Sequence, residues 1–423
     1  MITNEQIDLL IERLINRVDK ANTYFLMKIG EKIKKIGSLK PTEAQQLIQI
    51  LKYNGDIDEI MQELARYSNL NLNDIEEIFN VYAKKDQYFY KQFYEYRNIP
   101  FVDFAEHRAL KRQTEAIANM VAQQMYSFTR NSVLGYTIKD NFGNVQFLGL
   151  RETYDRVLEE AFLNVSQGKT TFDVAMADIL KDIGGSGLKT IEYQSGRSVR
   201  LDSAIRMHLQ DGLRLLHNEN QKIIGDEFRY NGIEVTHHAN AAPDHIDTVD
   251  GKQFASIDKI QEQINDGTEK QIKQTDIRDN QVWVKGKMYD DYNAVNNSLQ
   301  RQVSTLNCRH TIFPIVLGVS KPEYTEEQLQ ADKEKNFQGF DIDGKHYTLY
   351  EGEQLQRQLE RRIRQQKDIQ ILGKASSNNE LILSSQQKIT KYTNKYKELC
   401  NISGLKPRME RLRVSGYKRT KVK

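Results

Sequence analysis

Apolar residues recur at helical spacing along much of this chain, and near both ends that spacing dominates. Ile7, Leu10, Ile11, Leu14, Ile15 and Val18 fall on one helical face. Leu355, Leu359 and Ile363 do the same in a highly charged stretch near the other end. Such stripes are stable only when buried against another element, so both ends must pack as helical layers. In between, Ile233-Glu234-Val235 and residues 312–317 read as short strands. The fold class is therefore α+β and predominantly α-helical. It comprises a helical N-terminal region, a small α+β central domain and a helical, basic C-terminal region.

Local signals refine this outline. Thr3 and Gln6 have capping-box spacing, and Asn73 with Glu76 repeats it. Pro41 suits the first turn of a helix running through Leu47, Ile48 and Leu51, and Asn54-Gly55 ends it. The cluster Tyr88, Phe89, Tyr90, Phe93, Tyr94 and Tyr96 could stack bases, but its few interleaved cations favour a helix-packing seam. Tyr136-Thr-Ile and Val145-Gln-Phe flank a turn at 141–144, which predicts a hairpin. Helices are expected over 154–165 and 172–180. Gly184-Gly185-Ser186-Gly187 reads as a flexible turn without the Lys-Ser/Thr of a phosphate loop. A second hairpin around 195–197, a long helix over 202–221 and a helix over 378–400 follow. Four segments result: a helical domain over 1–130, a linking hairpin and helices over 131–190, an α+β domain over 191–322, and a helical region with a basic tail over 323–423.

Composition narrows the function classes. Hydrophobic residues make up 39% and charged residues 28% of the 423. The first figure is below the usual globular share of about 45–50%, so one compact, wholly apolar core is not expected. No run of 18 apolar residues occurs, which predicts no membrane span, and MITNEQIDLL lacks the pattern of a secretory leader. Two cysteines cannot form a disulfide framework and suit a reducing compartment. The net charge of +3 hides an asymmetry: residues 351–423 hold 18 Lys+Arg against 7 Asp+Glu, or 18 − 7 = +11, which leaves 3 − 11 = −8 for the rest. A basic tail on an acidic body suits a polyanion or an acidic partner; a solvated helix face ending in a frayed tail explains it equally.

The residues with metal chemistry cluster in the central domain. His237, His238 and His245 precede Asn307-Cys308-Arg309-His310. Imidazole and thiolate are the ligands zinc prefers, and Cys308 and His310 share one side of an extended strand. His238 and His245 can close across the turn at Pro243. His238, His245, Cys308 and His310 thus form a candidate zinc set. The same residues could instead form a hydrogen-bonded network pinning a loop to the strands. Asp244, His245, Asp247 and Asp250 supply the atoms of a metal nuclease, but in no recognisable spacing. Cys308 as a nucleophile lacks an orienting group. No catalytic constellation and no small-molecule site stand out, so no enzyme and no required cofactor are expected.

Four ordered blocks carry a resemblance. They are Tyr193-Gln-Ser-Gly196-Arg197 through Arg206-Met207; the His-rich loop ending in Asp250-Gly251-Lys252-Gln253-Phe254; Asn307-Cys308-Arg309-His310 with Pro314 and Gly318; and Tyr350-Glu351 with Gln356-Arg357, Glu360-Arg361 and Arg364. This arrangement resembles the tailed-phage minor capsid protein 2 family, related to the Mu F-type head morphogenesis proteins. It covers about 190–423 well, and 1–190 by helical character alone. The loop departs from the family pattern: two histidines replace one, the Trp before Gly251-Lys252 is missing, and the polar segment 256–306 replaces a glycine-rich approach to Asn307.

The resemblance implies a structural head protein present in few copies. It would be made in the host cytoplasm, enter the capsid interior at the portal vertex, touch portal and other capsid proteins, and accompany DNA at ejection. Arg408, Arg411, Arg413, Lys418, Arg419, Lys421 and Lys423 are the candidates for non-specific contact with packaged double-stranded DNA. The alternative is a metal-dependent nuclease or toxin-like domain carried in the virion.

Overall fold

The computed structural model describes residues 4–38, 56–68, 72–91, 94–95, 98–140, 142–166, 172–191, 197–305 and 308–420. The expected helix from Pro41 through Leu51, its Asn54-Gly55 stop, Lys421 and Lys423 lie outside them. Helix makes up 64% of the protein and the sheets are small and antiparallel, so the fold is α+β and predominantly helical.

In chain order, α1 (Asn4–Gly37), α2 (Asp56–Ser68), α3 (Leu72–Phe89) and α4 (Arg108–Thr129) precede the hairpin β1 (Leu134–Lys139) and β2 (Val145–Gly149). Next come α5 (Leu150–Ser166), α6 (Phe172–Ser186), β3 (Lys189–Ile191), β4 (Ser198–Arg200) and the long α7 (Leu201–Glu227). The central stretch holds β5 (Gly232–Val235), α8 (Pro243–Ile246), β6 (Gln253–Ala255), α9 (Ile257–Asn265), β7 (Ile277–Arg278), β8 (Gln281–Val284), β9 (Lys287–Asp290), α10 (Tyr292–Ser298) and β10 (Ile312–Ile315). Then follow α11 (Glu326–Gln338), β11 (Phe340–Ile342), β12 (Lys345–Tyr347), α12 (Leu349–Ala375) and α13 (Asn379–Ser403).

These elements form two compact units. One comprises 1–11, 72–122 and 207–351; the other comprises 12–71, 123–206 and 352–423. Of the four consecutive segments read from the sequence, 131–190 lies wholly in the second unit and the other three contribute to both.

In the first unit, Gly212 lets α7 approach its neighbours closely. A Cβ there would lie 2.5 Å from Val121 Cγ2 and 3.1 Å from Phe79 Cζ. The buried His217 lies between Asp86 Oδ2 at 2.9 Å and the Ile312 carbonyl at 3.2 Å, which ties α7 to α3 and to β10. Tyr90 and Tyr94 of the aromatic cluster are buried, with Tyr94 packed on Phe101 and Phe228, as a packing seam requires. The sheet β10-β5-β6 is antiparallel, with Ile312 opposite Val235 and Ile233 opposite Phe254. Val235, Val249, Phe254 and Ile312 form its core; each contributes about 1.5–3 kcal/mol relative to exposure. The polar segment 256–306 folds into α9, the sheet β7-β8-β9 and α10, around Ile260, Ile272, Val282 and Val284.

In the second unit, both expected hairpins pair in one antiparallel sheet of order β2-β1-β3-β4. Gly184-Gly185, expected as a flexible turn, instead lie inside α6. A Cβ on Gly184 would meet Ile369 Cα of α12 at 2.8 Å, so the glycine is a helix-contact residue; the chain turns only at Gly187, where φ is +63°. Residues 405–420, after α13, are not frayed. Lys406 O accepts from Gln356 Nε2 at 2.9 Å, Leu412 O from Lys367 Nζ at 2.6 Å, and Thr420 N donates to Gln386 Oε1 at 2.9 Å. Leu412 and Val414 are buried.

A candidate metal centre

The pairing of β5 with β10 decides which residues of the His/Cys set meet. The ladder continues past the strand ends: Thr236 N donates to Thr311 O at 2.9 Å, and Thr311 N to Thr236 Oγ1 at 2.9 Å. His237 and His238, just after β5, therefore lie beside Cys308 and His310, just before β10. Pro243 at the first turn starts α8, whose missing N–H costs nothing there, and brings His245 inward. Gly251, at φ +68°, then turns the chain into β6.

Three side-chain atoms converge. Cys308 Sγ lies 3.4 Å from His245 Nδ1 and 3.3 Å from His310 Nδ1, and the two Nδ1 atoms are 3.3 Å apart. His245, Cys308 and His310 are 0%, 2% and 3% exposed. The far side of each ring fixes its tautomer. His245 Nε2 lies 2.6 Å from the Arg301 carbonyl, which can only accept, so Nε2 carries the hydrogen. His310 Nε2 likewise donates to Asp250 Oδ1 at 2.8 Å. In their neutral forms both rings turn an Nδ1 lone pair toward the cysteine sulfur.

Asp250 is the hub behind this triangle. Oδ1 also accepts from His238 N at 2.8 Å, and Oδ2 lies 2.6 Å from His237 Nδ1. Burial alone would raise its carboxyl, but the bonds from His237 and His310 hold it at about 2. Burial would also raise the Cys308 thiol, yet His245 and His310 draw it down to about 5. Against its own burial, His310 is pushed up to about 9 by Asp250 and the thiolate. A proton on His310 Nδ1 satisfies one edge of the triangle; a dication at its centre would satisfy all three corners.

Of the four residues read from the sequence as a zinc set, three converge. His238 stacks edge-on against His310, with ring centroids 4.8 Å apart, but its Nε2 donates to the Arg309 carbonyl at 2.8 Å. Burial and the neighbouring His310 push its imidazole down to about 4. Asp244 pairs with Arg301 at 2.7 Å and Asp247 with Lys333 at 2.5 Å, so neither joins the triangle. Asp250, read from the sequence only as a metal-nuclease candidate, is instead the hub behind the histidines, while the Arg301 carbonyl and the His237–Asp332 contact at 3.0 Å escaped the sequence reading. A backbone carbonyl has no sequence signal, and Asp332 lies 95 positions from its histidine.

The cationic candidates are dispersed. Arg413, Lys418 and Arg419 are exposed. Arg408 and Arg411 are half-buried, with Arg408 3.7 Å from Glu353; burial raises the Glu360 carboxyl, and both arginines offset part of that rise. Elsewhere in the second unit, Lys139, Lys181, Lys189, Arg197 and Arg361 line a cleft of about 620 Å³, with Asp182 the one acidic lining residue. No helix among the described residues is long and apolar enough to cross a membrane.

Comparison with known proteins bears on nearly the whole chain. A family model described as phage minor capsid protein 2 matches residues 2–401. No curated protein and no solved structure matches. The match spans both units and includes the His/Cys centre and the cationic cleft. The chain belongs to the phage minor capsid protein 2 family and is a capsid component of a phage virion.

Proposed function

We propose that this capsid component sits inside the head at the portal vertex, against the portal protein, and touches packaged DNA without reading its sequence. The observation that carries the DNA contact is the cationic cleft of the second unit, which is lined by one carboxylate and by five Lys and Arg side chains besides the buried, paired Arg200. Exposed Arg413, Lys418 and Arg419 add to the charge of that unit. Cations on a phosphate backbone release counterions, so such binding is strong at low salt and collapses as salt rises. Portal contact rests on the family.

The test is duplex-DNA binding by fluorescence anisotropy across a salt series, with two charge-reversal variants. Deleting 401–423 is a poor probe, because the segment 405–420 is bonded to α12 and α13. Lys139→Glu/Lys181→Glu/Arg361→Glu should weaken binding more than Arg413→Glu/Lys418→Glu/Arg419→Glu, and should flatten the salt slope. Unchanged affinity in both variants sinks the DNA contact. Co-sedimentation with assembled portal rings tests the other half, and failure to co-sediment removes it. A nuclease role is the weaker reading, since the three converging side chains are sealed from solvent and a scissile phosphate would not reach them.

A further inference from the structure

We propose that His245 Nδ1, His310 Nδ1 and Cys308 Sγ bind one zinc ion, which clasps the base of the 256–306 segment. The distances fit zinc. Zinc lies about 2.0–2.1 Å from imidazole nitrogen and about 2.3 Å from thiolate sulfur, in tetrahedral sites. The tetrahedral angle then puts two nitrogens about 3.4 Å apart and nitrogen about 3.6 Å from sulfur. The three edges here are 3.3, 3.4 and 3.3 Å. The triangle is a tetrahedral face of zinc size, contracted by at most a few tenths of an ångström.

The tautomers supply the second argument. Each ring donates its Nε2 hydrogen outward, one to a backbone carbonyl and one to a carboxylate. This is the outer-shell pattern that fixes metal-ligating histidines and raises their basicity. It leaves an Nδ1 lone pair of each neutral ring facing a sulfur, all within 4.8 Å of one another and all buried. Three mutually facing acceptors repel unless a cation or shared proton lies among them. A thiolate with two imidazoles suits zinc in a chain with no disulfides.

The topology says what the ion does. His245 and Cys308 are 63 positions apart. Between them lie β6, α9, the sheet β7-β8-β9 and α10. Joining the two ends of that excursion removes loop freedom that the strand pairing at β5 and β10 does not. Among the described residues three protein ligands are in reach, so a water completes the tetrahedron. With all three side chains buried, the ion is structural.

The experiment uses the full-length, tag-free chain, washed with chelator, refilled with zinc and analysed by elemental mass spectrometry. One zinc per chain is expected in the wild type and in His238→Gln, and none in Cys308→Ser or His245→Gln. Asp250→Asn should retain the stoichiometry at saturating zinc but weaken affinity about 10–100-fold. Cobalt substitution of the wild type guards against variants that fail to fold. It should give a thiolate-to-cobalt charge-transfer band and intense tetrahedral visible bands. A folded wild type that takes up neither zinc nor cobalt overturns the proposal. So does bound cobalt without the thiolate band, or zinc lost from folded His238→Gln. Copper or iron in place of zinc overturns the metal assignment.

Discussion

Each unit buries a polar cluster, but the two satisfy it differently. In the second unit Arg200 lies 3.3 Å from Asp202 and 3.0 Å from Asp368, and Arg364 also pairs with Asp202. Asn22 donates to Asp368 at 3.1 Å and accepts from Tyr136 and Leu188. Each carboxylate of that pair faces a cation inside the protein. Burial would raise the Asp202 carboxyl, yet Arg364 and Arg200 hold it well below the usual carboxylate range. In the first unit the acid, Asp250, sits behind His310, whose Nδ1, like that of His245, faces the sulfur of Cys308. One cluster pairs each carboxylate with a guanidinium of its own and leaves Arg364 Nε without a hydrogen-bond partner. The other, on the zinc proposal, presents donor atoms to a cation from outside. A buried polar cluster is therefore diagnostic of a ligand only when its outer hydrogen bonds are spent and its inner atoms converge.

The largest effect should come from breaking the ion-paired cluster. Arg200→Met leaves Asp368 buried without its guanidinium, and removing one partner of a buried pair costs about 3–5 kcal/mol. Urea unfolding measures it; a loss below about 1 kcal/mol would mean the network relaxes and the pairing is incidental. Zinc withdrawal should come next and act on the other unit. A ligand at 100 times its dissociation constant stabilises by about 2.7 kcal/mol, which chelation removes. Hydrogen exchange should then rise at β5, α8 and β10 and stay unchanged at Arg200–Asp202. Equal change at both places would erase the contrast.

Much of this contrast was not legible in the sequence, for physical reasons. Periodicity exposes the helices, because a buried stripe leaves its spacing in the chain. The ion-paired network leaves no spacing: Arg200 and Asp368 are 168 positions apart, and each alone reads as a surface charge. Gly184-Gly185 reads as a turn because glycine's freedom is more often used there than for the approach of another helix. The segment after α13 reads as loose because its charges are conspicuous, while the bonds that hold it run largely through backbone groups. The His/Cys set was legible as chemistry, since few other uses bring those residue types together, but its membership depends on where each ring's second nitrogen points.

A smaller effect separates the clusters by pH. Burial, then Asp368, raises the Asp19 carboxyl to about 7 from 3.8, despite the bond from Ser415 N. The folded state thus binds this proton more tightly than the unfolded state. Its contribution is complete below the unfolded pKa and declines as pH rises through the folded one. Between about pH 5 and about pH 7 the loss is about 2 kcal/mol at most. Asp19→Asn should flatten that slope and raise stability at the alkaline end. A slope that persists in the variant assigns it to other groups.

The smallest effect is the most discriminating for the first unit. By sequence His238 is as good a ligand as His245, and it lies against His310. Its Nε2 is spent on the Arg309 carbonyl, a bond a glutamine amide can replace. His238→Gln should therefore cost about 1 kcal/mol or less, the net value of one hydrogen bond, and leave the response to chelator intact. The same substitution at His245 removes an Nδ1 that no amide reproduces at that angle, so the chelator response should vanish with the metal. If the two variants behave alike, the direction of the outer hydrogen bond does not select the ligands, and the distinction between the clusters fails at its most specific point.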